Sequence, residues 1–140
     1  MEITYTPDER ESRLGGIVAH TFAPQTLIAA LRDRDQYFAT GRNGTVLARY
    51  PELQMVLEVL REGKGLTPHR APAAITLQVL EGELRFEAEG EVIYLHQGEV
   101  LVLAAGVQHA VEAVTDAAFL LTIGKRGTLA SNTSGQDGAR

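Results

Sequence analysis

Two histidines, His69 and His109, are the side chains whose type and setting could support chemistry in this sequence. Each lies in a short apolar stretch that glycines interrupt, GKGLTPHRAPAAITLQVLEG at 63–82 and GEVLVLAAGVQHAVEA at 98–113. An imidazole can bind a divalent transition metal, orient a polar small molecule by hydrogen bonding, or transfer a proton near neutral pH. The alternative is structural, with both histidines hydrogen-bonded in the core. The residues themselves leave these interpretations open.

Strand-like alternation surrounds both histidines and should determine where they point. Ile75 and Leu77 share one face of a predicted strand, and Ala113 shares a face with His109. From 42 to 124 the sequence reads as seven or eight short strands between glycine turns, which is typical of an all-β sandwich or barrel. Ahead of them, apolar spacing predicts an amphipathic helix at 24–34 and a second short helical turn to Phe38.

Three segments follow from this pattern. We expect 1–41 to form an N-terminal arm and helix and 42–124 to form a β-barrel. The segment 125–140 is small, polar and glycine-rich, so we expect a flexible tail. A chain of 140 residues is long enough for one domain with a well-buried core. It contains no cysteine, which excludes a disulfide framework and a cysteine-based zinc site.

The spacing of glycine and histidine resembles the two motifs of the cupin superfamily. The first motif is Gly, five residues, His-x-His, three or four residues, Glu, six residues, Gly. The second is Gly, five residues, Pro-x-Gly, two residues, His, three residues, Asn. Six positions of this sequence match: Gly63, His69, Gly82, Gly98, Gly106 and His109. The resemblance covers about 42–124 and implies a double-stranded β-helix, or jelly-roll barrel, with a short N-terminal helical extension.

The resemblance also implies which side chains face the barrel interior. In cupins both histidines and the glutamate of the first motif, with the histidine of the second, hold a divalent transition metal. Here only His69 and His109 remain as candidate metal ligands, because Ala71 and Ile75 occupy the other two positions and offer no lone pair. Ala104 and Ala113 also replace the proline and asparagine of the second motif. The implied ligand pocket consists of His69, Ala71, Ile75, Leu77, His109 and Ala113.

Three functional hypotheses remain. The first is a cupin-like protein that binds an unidentified small molecule and lacks a full metal site, since catalytic sites ordinarily use three protein ligands. The second is a metal-dependent oxygenase or isomerase that uses His69 and His109 with an unconventional third ligand. The third is a structural or regulatory module whose own side chains fill the pocket. The pattern does not place His20, whereas it predicts that His96 is exposed and that Arg70 lies on the surface or at the barrel rim.

Charge and composition restrict the partners. The net charge is −5, and residues 81–124 carry eight acidic side chains against one arginine, which would repel a nucleic acid backbone. No apolar run approaches the length of a membrane span and the N-terminus has no apolar core, so we expect neither membrane insertion nor a signal peptide. The absence of cysteine is compatible with the cytoplasm. Exposed barrel edges predict a homodimer, because edge strands need cover.

Overall fold

Two antiparallel sheets packed face to face form the body of the molecule. The computed structural model describes residues 9–125, and the predicted tail lies outside these residues except for Lys125. The elements in chain order are β1 (Arg10–Leu14), β2 (Ile17–Thr21), α1 (Pro24–Arg32), α2 (Asp35–Thr40), β3 (Arg42–Arg49), β4 (Leu53–Leu60), β5 (Gly65–Arg70), β6 (Ile75–Glu81), β7 (Glu83–Ala88), β8 (Glu91–His96), β9 (Val100–Leu103), β10 (Gln108–Ala113) and β11 (Ala117–Gly124).

The strand order confirms the predicted jelly-roll barrel. One sheet has the order β5-β10-β7-β8 and the other has the order β3-β4-β11-β6-β9. All of their neighbouring strands are antiparallel. Nine strands therefore form the barrel between residues 42 and 124 of the described part, rather than the expected seven or eight.

The main core lies between the two sheets. Alternate residues of each strand point inward, so that Leu77 and Val79 of β6 meet Leu84 and Phe86 of β7 in one buried cluster. Each of these four side chains is at most 1% exposed. Because the period of a strand is two, the apolar alternation in the sequence is sufficient to define this inward face.

A second apolar layer lies on the outer face of the five-stranded sheet. Leu27, Ile28 and Leu31 of α1 pack there against Leu57 and Val59 of β4. The sequence predicted that the first helix would reach residue 34, which is two residues too far. The chain leaves the helix at Asp33 and is extended at Arg34. The second helix continues to Thr40, two residues beyond the predicted end, and Gly41 terminates it at φ 73°.

The N-terminal arm is a β-hairpin. β1 pairs with β2 in the register Arg10↔Thr21 to Leu14↔Ile17, and in the described part these two strands pair only with each other. Gly15 and Gly16 form the turn, and both have positive φ angles. Neither α1 nor α2, the helices of residues 9–125, has the length and apolar character to cross a membrane.

A patch of apolar side chains is exposed where the two sheets end. β8 is the last strand of one sheet and β9 the last strand of the other. We call this patch the apolar edge surface. Its members are Val92, Ile93, Tyr94, Val100 and Val102, each at least 39% exposed. Edge strands with such side chains are suited to association with another chain.

Candidate functional site

The pairing of β5 with β10 brings the two predicted histidines together. His69 and His109 are direct cross-strand partners, and their ring centroids are 4.4 Å apart at an interplanar angle of 58°. His109 alternates with the buried Val111 along β10 and therefore points inward. Its ring also stacks on Phe86, at a centroid distance of 5.5 Å. His109 is 4% exposed, whereas His69 is exposed to solvent, so the pair extends from the core to the barrel mouth.

Backbone hydrogen bonds determine the tautomer of both rings. Nδ1 of His69 lies 3.0 Å from the carbonyl oxygen of Thr67, and Nδ1 of His109 lies 3.0 Å from that of Val107. A carbonyl oxygen only accepts hydrogen bonds, so each Nδ1 must carry a proton and donate it. In the neutral ring Nε2 is then the unprotonated nitrogen, with a lone pair available for a ligand.

A pocket of about 320 Å³ lies on the outer face of the four-stranded sheet, on the side opposite to the inward rings of His69 and His109. It is lined by Pro68, Arg70, Glu87, Ala88, Glu89, Gly90, Gln108, His109 and Ala110. Arg70 is fixed at the rim, where Nη1 donates to the carbonyl oxygen of Gly106 at 2.9 Å and Nη2 donates to Oε1 of Gln108 at 3.2 Å. The Arg70 side chain is exposed and lines this outer pocket.

The other side chains of the expected pocket lie at different depths. Leu77 and Ala113 are 1% exposed and belong to the packed core. Ile75 is buried at the start of β6, where it pairs with Leu103 and Ile123. Ala71 follows β5 directly, is half-buried, and accepts a hydrogen bond at its carbonyl oxygen from the Gly106 amide at 2.9 Å. Of the six expected residues, the two histidines are brought into ring contact.

The donor set does not fit a complete metal centre. Within residues 9–125, no three His, Cys, Asp or Glu side chains are grouped closely enough to hold a metal ion. Ala71 and Ile75 carry no donor atom, so the pair of Nε2 atoms would have to rely on water or a bound molecule for further ligands. The remaining histidines have other partners. His20 contacts Glu9 at 2.7 Å in the N-terminal hairpin, and His96 lies exposed near Glu83 and Glu99.

One half-buried acidic group, Glu58, was not singled out from the sequence. It lies on the inward face of β4, where it pairs with Phe119 on one side and Gly44 on the other. A side chain at Gly44 would collide with the Glu58 carboxylate, at 2.7 Å from Oε1. Burial raises the pKa of Glu58 from its ordinary 4.5 to about 7, and the positive charge of Arg42 opposes that increase. Arg42 in turn donates to the carbonyl oxygen of Gly65 at 3.2 Å and so links the two sheets.

A signal for Glu58 was present in the sequence. In LQMVLEVL both faces of β4 are apolar, because one face packs on α1 and the other on the main core. An acidic residue within such a strand must lie among apolar neighbours on either face. Glu58 lies on the face opposite Leu57 and Val59, and that face is the barrel interior.

The fold and the paired histidines define a class of protein: a jelly-roll barrel with two imidazoles converging at its mouth. Residues 56–123 match the model of the cupin domain. The chain therefore belongs to the cupin superfamily. A comparison with curated proteins finds no match.

Several solved structures are similar to this chain. A cupin 2 conserved barrel domain protein from Leptotrichia buccalis is 32% identical over 60% of this chain and 41% of that one, with a TM-score of 0.58. A cupin superfamily protein from Desulfitobacterium hafniense is 18% identical over 82% of this chain and all of its own, with a TM-score of 0.65. Salicylate 1,2-dioxygenase from Pseudoaminobacter salicylatoxidans is 17% identical over 71% of this chain and 31% of its own, with a TM-score of 0.64. At 18% and 17% identity, the last two likenesses concern the fold alone.

Proposed function

We propose that this protein binds a small molecule at the mouth of its barrel, with the Nε2 atoms of His69 and His109 as hydrogen-bond acceptors. The tautomer of the pair carries this proposal. Both Nδ1 atoms are occupied by backbone carbonyl oxygens, so both free lone pairs belong to Nε2. We also propose that the metal-binding motif of the cupin family is degenerate in this chain. The working form that we propose is a cytoplasmic homodimer.

The proposal can be tested by nitrogen NMR of the imidazole rings. Small carboxylic acids, alcohols and amines are titrated into labelled protein, and the Nε2 resonances of the two histidines are followed. A ligand that donates a hydrogen bond should shift the Nε2 signals and leave the Nδ1 protons in place. His69→Ala should weaken binding, whereas His96→Ala is the matched control because it removes an exposed imidazole elsewhere on the barrel. Shifts confined to His96 would refute the proposal.

A metal-dependent oxygenase or isomerase is the second candidate. The observation that favours it is the same hydrogen bonding of Nδ1, since metal-binding histidines commonly donate their other ring N–H to a carbonyl or carboxylate. The missing donors at Ala71 and Ile75 count against it. Elemental analysis of protein purified without chelator or metal-affinity resin separates the two candidates. We expect metal well below one ion per chain, and stoichiometric Fe, Mn, Ni or Zn bound at the two histidines would establish the second candidate instead.

A further inference from the structure

We propose that the pocket on the outer face of the four-stranded sheet binds a zwitterionic small molecule, with a carboxylate end at Arg70 and an ammonium end at Glu89. This second site is separate from the inward Nε2 atoms of the proposed function. Three observations support it: a fixed arginine, a glutamate in an unfavourable backbone conformation, and their positions on opposite sides of one pocket.

Arg70 presents a preorganised positive charge. Two of its five N–H donors are used by the carbonyl oxygen of Gly106 and by Gln108, which leaves three for a ligand. In the described part of the chain no carboxylate lies within ion-pair distance of Arg70. A guanidinium that is held in place and not neutralised is suited to a carboxylate, which it can bind through two parallel hydrogen bonds.

Glu89 presents a negative charge on the opposite rim. It occupies the first position of the two-residue turn between β7 and β8, with φ 53°. Among residues 9–125 it is the only residue other than glycine that has a positive φ. Such turns favour asparagine, aspartate or glycine at this position, because a longer side chain in the left-handed region costs on the order of 1 kcal/mol. Backbone strain of this kind is characteristic of functional sites. Neighbouring Glu87 bonds to Arg85 at 3.2 Å, while residues 9–125 provide no ion-pair partner for Glu89.

The two charges face each other across the end of the sheet. Arg70 pairs with Gln108 across β5 and β10, and His109 pairs with Ala88 across β10 and β7. Glu89, the residue after Ala88, therefore lies in line with Gln108, two strand spacings from Arg70. Two spacings amount to about 10 Å between the backbones, and side chains that reach toward the pocket shorten the gap. A molecule with opposite charges at its ends would complement this arrangement.

The test compares four probes that share a five-carbon chain. They are 5-aminopentanoate, glutarate, 1,5-diaminopentane and pentan-1-ol, each followed by the backbone amide shifts of the pocket residues. We expect 5-aminopentanoate to bind most tightly. Arg70→Gln should weaken its binding about tenfold and shift the preference toward the diamine, since the loss of one charge-assisted hydrogen bond has that magnitude. Glu89→Gln should weaken it similarly and shift the preference toward glutarate.

Two further variants separate the loss of a charge from the loss of the fold. Glu89→Gly removes the carboxylate and suits the left-handed turn, so it should raise the melting temperature while it abolishes the preference for the zwitterion. Glu91→Gln removes an exposed carboxylate at the start of β8 and should leave the preference unchanged. Wild-type preference for glutarate or the diamine, or no pocket shift with 5-aminopentanoate, would overturn the inference. If other small molecules still shift both histidines in that case, the proposed function stands and this inference alone fails.

Discussion

Replacement of Glu58 by glutamine should change how the stability of the barrel depends on pH. Burial raises the pKa of Glu58 from 4.5 to about 7 in the folded protein. A carboxyl group whose pKa is raised on folding contributes stability that is fully present below pH 4.5 and is lost as the pH rises through 7. The shift of about 2.5 units corresponds to at most about 3 to 4 kcal/mol, at about 1.4 kcal/mol per unit. Partial contact with solvent reduces the expected effect to about 2 kcal/mol.

Urea unfolding of wild type and Glu58→Gln, between about pH 5 and about pH 8, measures this effect. The free energies of unfolding of the two proteins are compared at each pH, and their difference reports the ionisation of Glu58. Wild type should lose about 2 kcal/mol more than Glu58→Gln across that range, since the amide has no proton to release. Glu91→Gln is the control, because it removes an exposed carboxylate and should keep the wild-type profile. In Arg42→Gln the cation that opposes the increase is gone, so the pKa of Glu58 should rise further and the loss should move to higher pH.

The result that refutes this reasoning is a pair of parallel profiles. If wild type and Glu58→Gln differ by the same free energy at every pH, the Glu58 carboxyl is as well hydrated in the folded protein as in the unfolded chain. The side chain would then point away from the interior, and the register of β4 against β11 would be incorrect at Phe119.

Three other changes test the site, the backbone and the assembly. Ala71→His together with Ile75→Glu should create a divalent-metal site. Mn²⁺ or Ni²⁺ should then raise the melting temperature of the double variant and not that of Ile75→Glu alone. If the metal changes both melting temperatures equally, these two side chains do not point toward His69 and His109. Gly82→Ala should lower the free energy of unfolding by about 3 kcal/mol, because φ is +79° and the new methyl group would overlap the carbonyl oxygen of Asp116. Light scattering should find that the wild-type protein is a homodimer. Val102→Lys places a charge on the apolar edge surface and should convert the dimer to a monomer. A wild-type monomer at micromolar concentration would exclude this interface.

The sequence was informative where a short-range pattern determines the structure. Alternation of apolar residues predicted an all-β sandwich or barrel, and the resemblance to cupins implied that His69 and His109 belong to one site. The sequence could not reveal that the turn at Glu89 forms one wall of the outer-face pocket. That turn reaches the pocket only because β7 pairs with β10, which is about twenty residues further along the chain. The sequence also did not identify Glu58 as an inward, half-buried residue, since strand periodicity defines two faces without saying which of them helix α1 covers.

The N-terminal hairpin should unfold separately from the barrel. Its two strands pair only with each other among the described residues, and an isolated two-stranded hairpin is at best marginally stable in water. Amides of Arg10–Thr21 should therefore exchange with deuterium through local opening, while amides of β6 and β11 should exchange only when the whole domain unfolds. A protease can for the same reason cleave the hairpin while the barrel remains folded, so the molecule has two levels of stability within one short chain.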